Sequence, residues 1–214
     1  MKDLLDRLQK IAATTNRPTL GLRPGASPAA IAKAEKAMGL VLPKDYKELL
    51  LLHDGQEGDA EALFEWIPGA ELLKPIAEVV EQWREEKGLA EEFGAPEENE
   101  DGPFYTDRYH AKRIPIAGTE YWDGDTMYLD LAPTERGKSG QLIALTSECD
   151  FVRLGPSLRR ALTSYVEALE AGDWGYFEHK GHVGSKDEGE DEHPNQREAF
   201  AAYRKAQRRG ENGA

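Results

Sequence analysis

Few groupings of residues in this chain could do chemistry, and each has a plainer structural reading. Gly137-Lys138-Ser139 has the ending of a phosphate-binding loop. That loop needs a glycine five residues before Gly137, where Ala132 stands, and it must open a helix, whereas 141–145 reads as a strand. A polar hairpin loop is expected instead. Glu120, Asp123 and Asp125, around Gly124, could pair carboxylates or ligate a divalent ion. Their spacing is not that of a calcium loop, and Asp-Gly pairs ordinarily make turns. His179, His182 and His193, with Asp187 and Glu188, offer imidazole and carboxylate ligands. Glycines at 181, 184 and 189 make that stretch a poor preformed metal shell and a plain solvated tail. His53 shares a helix side with apolar residues and reads as a packing histidine; Cys149 reads as a small apolar residue near a strand end. Neither G-x-S-x-G nor G-x-G-x-x-G occurs. The expectation is no catalytic residue, no metal and no cofactor.

Charge and aromatics are more informative. The net charge is −13 over 214 residues. Nucleic acid and anionic membrane both require Lys and Arg against phosphate, so neither is an expected partner. A protein partner with a basic surface is. The excess is concentrated: between Glu78 and Asp101 ten acids face two bases. Surface helices ordinarily mix signs, because like charges four residues apart repel. Trp66, Trp83, Tyr121 and Trp122 lie among polar or acidic neighbours. Such aromatics either pack in a core or anchor an interface. The candidate contacts are Glu85, Glu86, Glu91, Glu92 and Asp101, with Trp66, Trp122 and Asp123 as anchors.

The elements that must position these residues follow from periodicity. Leu4, Leu8 and Ile11 make one helical stripe over 3–13, with Leu5 and Ala12 beside it. Ser27-Pro28 reads as an N-cap and first helical residue, with Ile31, Ala34 and Met38 inward and Gly39 as a left-handed cap. Leu42-Pro43 opens a leucine-rich helix that Asp54-Gly55 closes. Phe64–Ile67 reads as a short strand. Pro75 starts a further helix through Ile76, Val79, Val80 and Trp83, and Gly88 stops it. Ile114–Ala117 is an expected edge strand, because Pro115 cannot donate to a ladder. Met127, Leu129 and Leu131 alternate with Tyr128 and Asp130 as a half-buried strand; 141–145 and 151–154 are two more. Ser157 caps a last core helix with the stripe Leu158, Ala161, Leu162, Tyr165, Val166, Leu169. Residues 184–196 hold no large apolar residue and read as a linker, and 197–209 as a terminal helix, basic at its end. Segregated helices and antiparallel strands imply an α+β fold. The division expected is a domain over 1–182 and a charged tail over 183–214.

The run Ser27-Pro28, Ile31, Ala34-Glu35, Met38-Gly39, Leu42-Pro43, Asp45-Tyr46, Leu49-Leu50 and Asp54-Gly55 resembles the opening of the SUKH superfamily (Smi/Knr-like proteins). Asp54-Gly55 stands where that family shows Asn-Gly, with the same expected cap chemistry. The closing strands and the 157–169 helix are similar to the family's second half, and the resemblance covers roughly 19–172. It implies an antiparallel sheet of about four to six strands flanked by helices, and a non-catalytic binder. Bacterial members of the family include immunity proteins that neutralise a neighbour's toxin, and fungal members regulate cell-wall synthesis. The insertion between Gly88 and Tyr109 and the tail after Gly181 depart from a minimal member. The family's binding residues vary, so the resemblance carries over no site residue.

The combined reading is a protein-binding domain: an immunity protein whose acidic surface plugs a basic, nuclease-type toxin. Two readings stand against it, an intracellular scaffold or regulator of the Smi/Knr type and a metal-dependent enzyme built on the 120–125 carboxylates. The longest aliphatic run is Leu49–Leu52, far short of a membrane span of about 20 residues. The N-terminus has acids among its bases and no apolar stretch of a signal peptide. The single cysteine allows no internal disulfide. A cytoplasmic address is the expectation.

Overall fold

The computed structural model describes residues 1–14, 20–57, 72–93, 102–118, 126–145 and 151–172, together with the backbone of 174–177 and 182–185. Its elements in chain order are α1 (Lys2–Thr14), α2 (Pro28–Met38), α3 (Lys44–Leu52), α4 (Ile76–Phe93), β1 (Arg113–Gly118), β2 (Thr126–Asp130), β3 (Gln141–Leu145), β4 (Phe151–Gly155), α5 (Leu158–Glu170), β5 (Trp174–Phe177) and β6 (His182–Ser185). Strands β1 to β4 form one antiparallel sheet in sequential order; β5 and β6 pair separately as a hairpin. The architecture is α+β, as the sequence implies.

Local signals built the helices. Ser27 Oγ accepts from Ala30 N–H at 3.1 Å, Pro28 fills the first turn, and Gly39 closes α2 at φ 67°. Ser157 caps α5 in the same way through Arg160 N–H at 3.3 Å. The whole expected α5 stripe, with Ala168, is buried. Each large apolar side chain there contributes roughly 1.5–3 kcal/mol, which anchors α5 to the sheet. Buried Leu4, Leu5 and Leu8 hold α1 beside α5, and Arg7 adds a bidentate bond to Glu170 at 2.8 and 2.6 Å.

Three expectations change. Helix α4 does not stop at Gly88 but runs on to Phe93. Gly88 has no positive φ, so it is an ordinary helical residue and not a cap. Helix α3 ends at Leu52 with His53 as its C-cap, before Asp54-Gly55. The carboxylate of Asp54 instead accepts the N–H of Ile76 at 2.7 Å and caps the first turn of α4, 22 residues on. Gly55 stands at φ 84°, and a Cβ there would come within 2.6 Å of Pro75 N, so the close turn admits only glycine.

The third change concerns the sheet. All five residues of β2 are buried, not only the alternate apolar ones. Met127 and Leu129 face the helical core with Ile114, Leu142 and Leu154. Tyr128 on the opposite face packs with Ile143, Leu145 and Phe104. The cover comes from residues 102–112, which include the end of the insertion, and Phe104 there is buried against the sheet. Pro115 does sit in an edge strand, beside a bulge. Leu73 bridges to Ala117 along the outer edge of β1, and Lys74 N–H donates to Ile116 at 2.9 Å. The Ile116 carbonyl of that edge is thereby satisfied.

The strand expected at 64–67, the turn at 123–125, Cys149, His179, the linker over 186–196 and the helix over 197–209 lie outside the described residues. Residues 184 and 185 fall within β6. Among the described residues no helix is long and apolar enough to cross a membrane.

Candidate interaction surface

Helix α4 arranges the acidic run, and the two faces of that helix treat its carboxylates differently. Ile76, Val79, Val80 and Trp83 are buried, and Trp83 Nε1 donates to Ala111 O at 2.9 Å. Trp83 is therefore a core residue. Opposite that face, Glu78, Glu81, Glu85 and Glu92 follow one another at spacings of three, four and seven, which places them on one stripe of a helix. All four are exposed, and among the described residues none of them forms an ion pair. Glu91 lies to one side, 3.6 Å from Lys87, whose Nζ also sits 5.5 Å from the Trp83 ring.

Glu86 belongs to neither group. Its carboxylate turns inward, accepting from Gln82 Nε2 at 2.7 Å and from Tyr128 Oη at 3.2 Å. Burial pushes its pKa above the usual carboxylate range; the two hydrogen bonds and the charges of Lys74 and Arg113 hold it back only in part. The same surroundings push the Tyr128 hydroxyl well up. Glu86 is thus withdrawn from the exposed acidic surface to which the sequence reading assigned it. Glu85 and Glu92 stand on the stripe, and Glu91 flanks it. Trp66, Asp101, Trp122 and Asp123 lie outside the described residues, as do Glu120 and Asp125. Glu78 and Glu81 complete the stripe; helical spacing alone would have picked them out, but they were not among the candidate contacts.

A groove of about 260 Å³ runs between α2 and α4, beside the stripe. Buried Ala34 and Val80 line it together with exposed Ala37 and Ala77, and Glu81 of the stripe also lines it. Lys33 on α2 and Arg84 on α4 are the cations that line it.

The second face of the sheet carries a polar row. Arg113, Asp130 and Gln141 stand in register across three strands, and all three are buried. Gln141 Nε2 donates to Asp130 Oδ2 at 2.9 Å and to Pro103 O at 2.8 Å. Arg113 donates to the carbonyls of Tyr105, at 2.5 Å, and Asp107, and lies 3.4 Å from the Asp107 carboxylate. Its guanidinium rests 4.6 Å over the Phe151 ring. Nearby, His110 Nδ1 accepts from Lys112 N–H at 3.1 Å, and burial holds that imidazole below its ordinary pKa. The bonds from Arg113 to Tyr105 and Asp107 and from Gln141 to Pro103 tie residues 102–112 to the sheet.

Among the described residues, three other places singled out in the sequence have structural roles. The 137–140 stretch is the turn between β2 and β3; Gly137 N–H donates to Thr134 O at 3.0 Å, and Gly140 stands at φ 84°. His53 Nδ1 lies 2.9 Å from Arg23 O, a satisfied packing position. Asp45 accepts from its neighbour Tyr46 N–H at 3.0 Å and from Arg159 N–H at 2.9 Å, joining the starts of α3 and α5. No group of three or more metal-ligating side chains occurs among the described residues.

A helix-flanked antiparallel sheet, with an acidic stripe along the outer face of α4, defines the class: a small α+β domain. The family model described as SMI1 / KNR4 family (SUKH-1) matches residues 25–164, and the chain belongs to that family. No curated protein matches the chain.

Proposed function

We propose that this protein is a non-catalytic binding domain that docks a basic protein partner against α4, and that it serves as an immunity protein against a toxin. The observation that carries the reading is the row of four carboxylates, Glu78, Glu81, Glu85 and Glu92, on the outer face of one helix, none of them in an ion pair among the described residues. Uncompensated like charges at these spacings cost helix stability. They also create a local negative field that speeds encounter with a cationic surface. Membership of the SUKH family supports a binding role.

The test is capture from the source cell with the purified chain as bait, together with identification of the product of the adjacent gene. A basic toxin domain should bind, and changing all four glutamates to Lys should weaken it by roughly 4-fold to 1,000-fold, at about 0.2–1 kcal/mol per reversed rim charge. Raising the salt concentration should weaken it in the same direction. A folded charge-reversed chain that captures the same partner equally well overturns the electrostatic docking. Capture of a cellular regulator instead of a toxin overturns the immunity role.

A further inference from the structure

We propose that residues 102–112 are an acid-released strap over the second face of the sheet, with the imidazole of His110 as its latch. The strap is fixed at both ends. At one, Thr134 Oγ1 donates to Gly102 O at 2.7 Å and Gln141 Nε2 to Pro103 O at 2.8 Å. At the other, Trp83 Nε1 donates to Ala111 O at 2.9 Å and Leu131 N–H to Lys112 O at 3.0 Å. Between them the chain forms neither helix nor strand. Phe104 enters the apolar cluster of Tyr128, Ile143, Leu145 and Phe151, and the Arg113 guanidinium holds the carbonyls of Tyr105 and Asp107.

His110 locks the far end of this stretch. Its Nδ1 accepts from Lys112 N–H at 3.1 Å, and its carbonyl accepts from Arg113 N–H at 2.9 Å. Its ring stacks on Tyr105, 6.3 Å between centroids and 11° from parallel. An imidazole that accepts at Nδ1 is neutral; once protonated, both nitrogens donate and the bond from Lys112 is lost. Among the described residues the charged groups facing the ring are Asp107 and Lys112 of the strap, Arg113 of β1 and Asp130 of β2. Two acids offset two bases, so burial sets the sign, and the closed strap disfavours the imidazolium. Opening returns the ring to water and takes up a proton. It is therefore favoured as pH falls below the ordinary imidazole value of about 6.5, by at most about 10-fold per pH unit. Asp107 acts the other way: burial raises its pKa, so its protonation favours the closed strap and limits release at lower pH. Release thus belongs to mildly acidic conditions, and it removes a cover from Tyr128 and Ile143. Neither the latch nor its release depends on a docked partner.

The experiment is hydroxyl-radical footprinting of the full chain at about pH 7.5 and about pH 5.5, on either side of the ordinary imidazole value. Mass spectrometry reads the labelling at Phe104, Tyr128, Tyr46 and Tyr165. Tyr46 and Tyr165 lie in the main core and report any general loosening. Labelling of Phe104 and Tyr128 should rise several-fold at the lower pH, with Tyr46 and Tyr165 unchanged. In His110→Asn the side-chain oxygen can keep the bond from Lys112 but takes up no proton, and the rise should disappear. Glu86, which accepts from Tyr128, also titrates on this side of the sheet. A rise that survives in His110→Asn assigns the response to another group and overturns the latch. No rise in the unaltered chain, or an equal rise at all four residues, overturns the strap. The chain is assayed without a partner, so failure here is distinguishable from a failure of the proposed function.

Discussion

At the scale of single residues, carboxylates with the same sequence context end in different physical states. Glu85 and Glu86 are neighbours, yet one faces water and the other accepts from Gln82 and Tyr128 inside the molecule. For Glu86 the folded-state pKa is raised, with burial as the leading cause. Its contribution to stability is therefore fully present below the ordinary carboxylate range and is lost as pH rises through the elevated folded value. Glu86→Gln keeps an acceptor for both donors and removes the buried charge. The variant should be more stable at pH 7 by about 1 kcal/mol, the low end of what neutralising a buried charge returns, with the gain vanishing near pH 4. Denaturant unfolding at the two pH values checks this; equal gains at both would refute the linkage. Asp45 and Asp54 were legible as helix-region acids. That each caps a helix it does not belong to, across 114 and 22 residues, was not legible.

At the scale of elements, periodicity read the helices well because a helix that packs on a sheet must repeat its apolar residues near every 3.6 positions. The stripe of α5 and the caps of α2 were found residue for residue. The error at Gly88 has a simple origin. Glycine is common just past helix ends, but it ends a helix only when its φ turns positive, and Gly88 does not do so. It is exposed, and nothing lies within 4 Å of where a Cβ would be. Gly88→Ala should therefore stabilise the protein by about 0.5–1 kcal/mol, read as a raised denaturation midpoint with an unchanged slope. A destabilised variant would show that glycine is needed there for a contact along the stripe. The half-buried reading of β2 failed for a different reason. Tyr128 and Asp130 alternate with apolar residues as a solvent face would, and the placement of 102–112, with Glu86 of α4, over them makes that face interior.

At the scale of the whole molecule, a net charge of −13 is a self-repelling surface. Exposed pairs such as Lys2–Asp6 and Arg7–Glu170 contribute little each. Screening should therefore help more than it harms: raising NaCl from about 20 to 500 mM should increase Tm by a few degrees in a thermal melt. A fall in Tm would mean that attractive pairs outweigh the repulsion. The same surface gives the docking reading its charge dependence, so one salt titration addresses stability and partner affinity with opposite expected signs.

The amino-acid sequence alone determined the fold class, helices α1 to α5 in outline and strands β1 to β4, the family resemblance and the acidity of the 78–101 stretch; it did not disclose the β5–β6 hairpin. These depend on residues near one another in the chain, through side-chain periodicity, capping hydrogen bonds and summed charge. Tertiary structure decided which carboxylates of that stretch remain on the surface, which aspartates cap distant helices and which face of β2 is covered. Each of those outcomes is set by what packs from far along the chain, and a side chain's solvation follows its three-dimensional neighbours, whatever lies beside it in sequence.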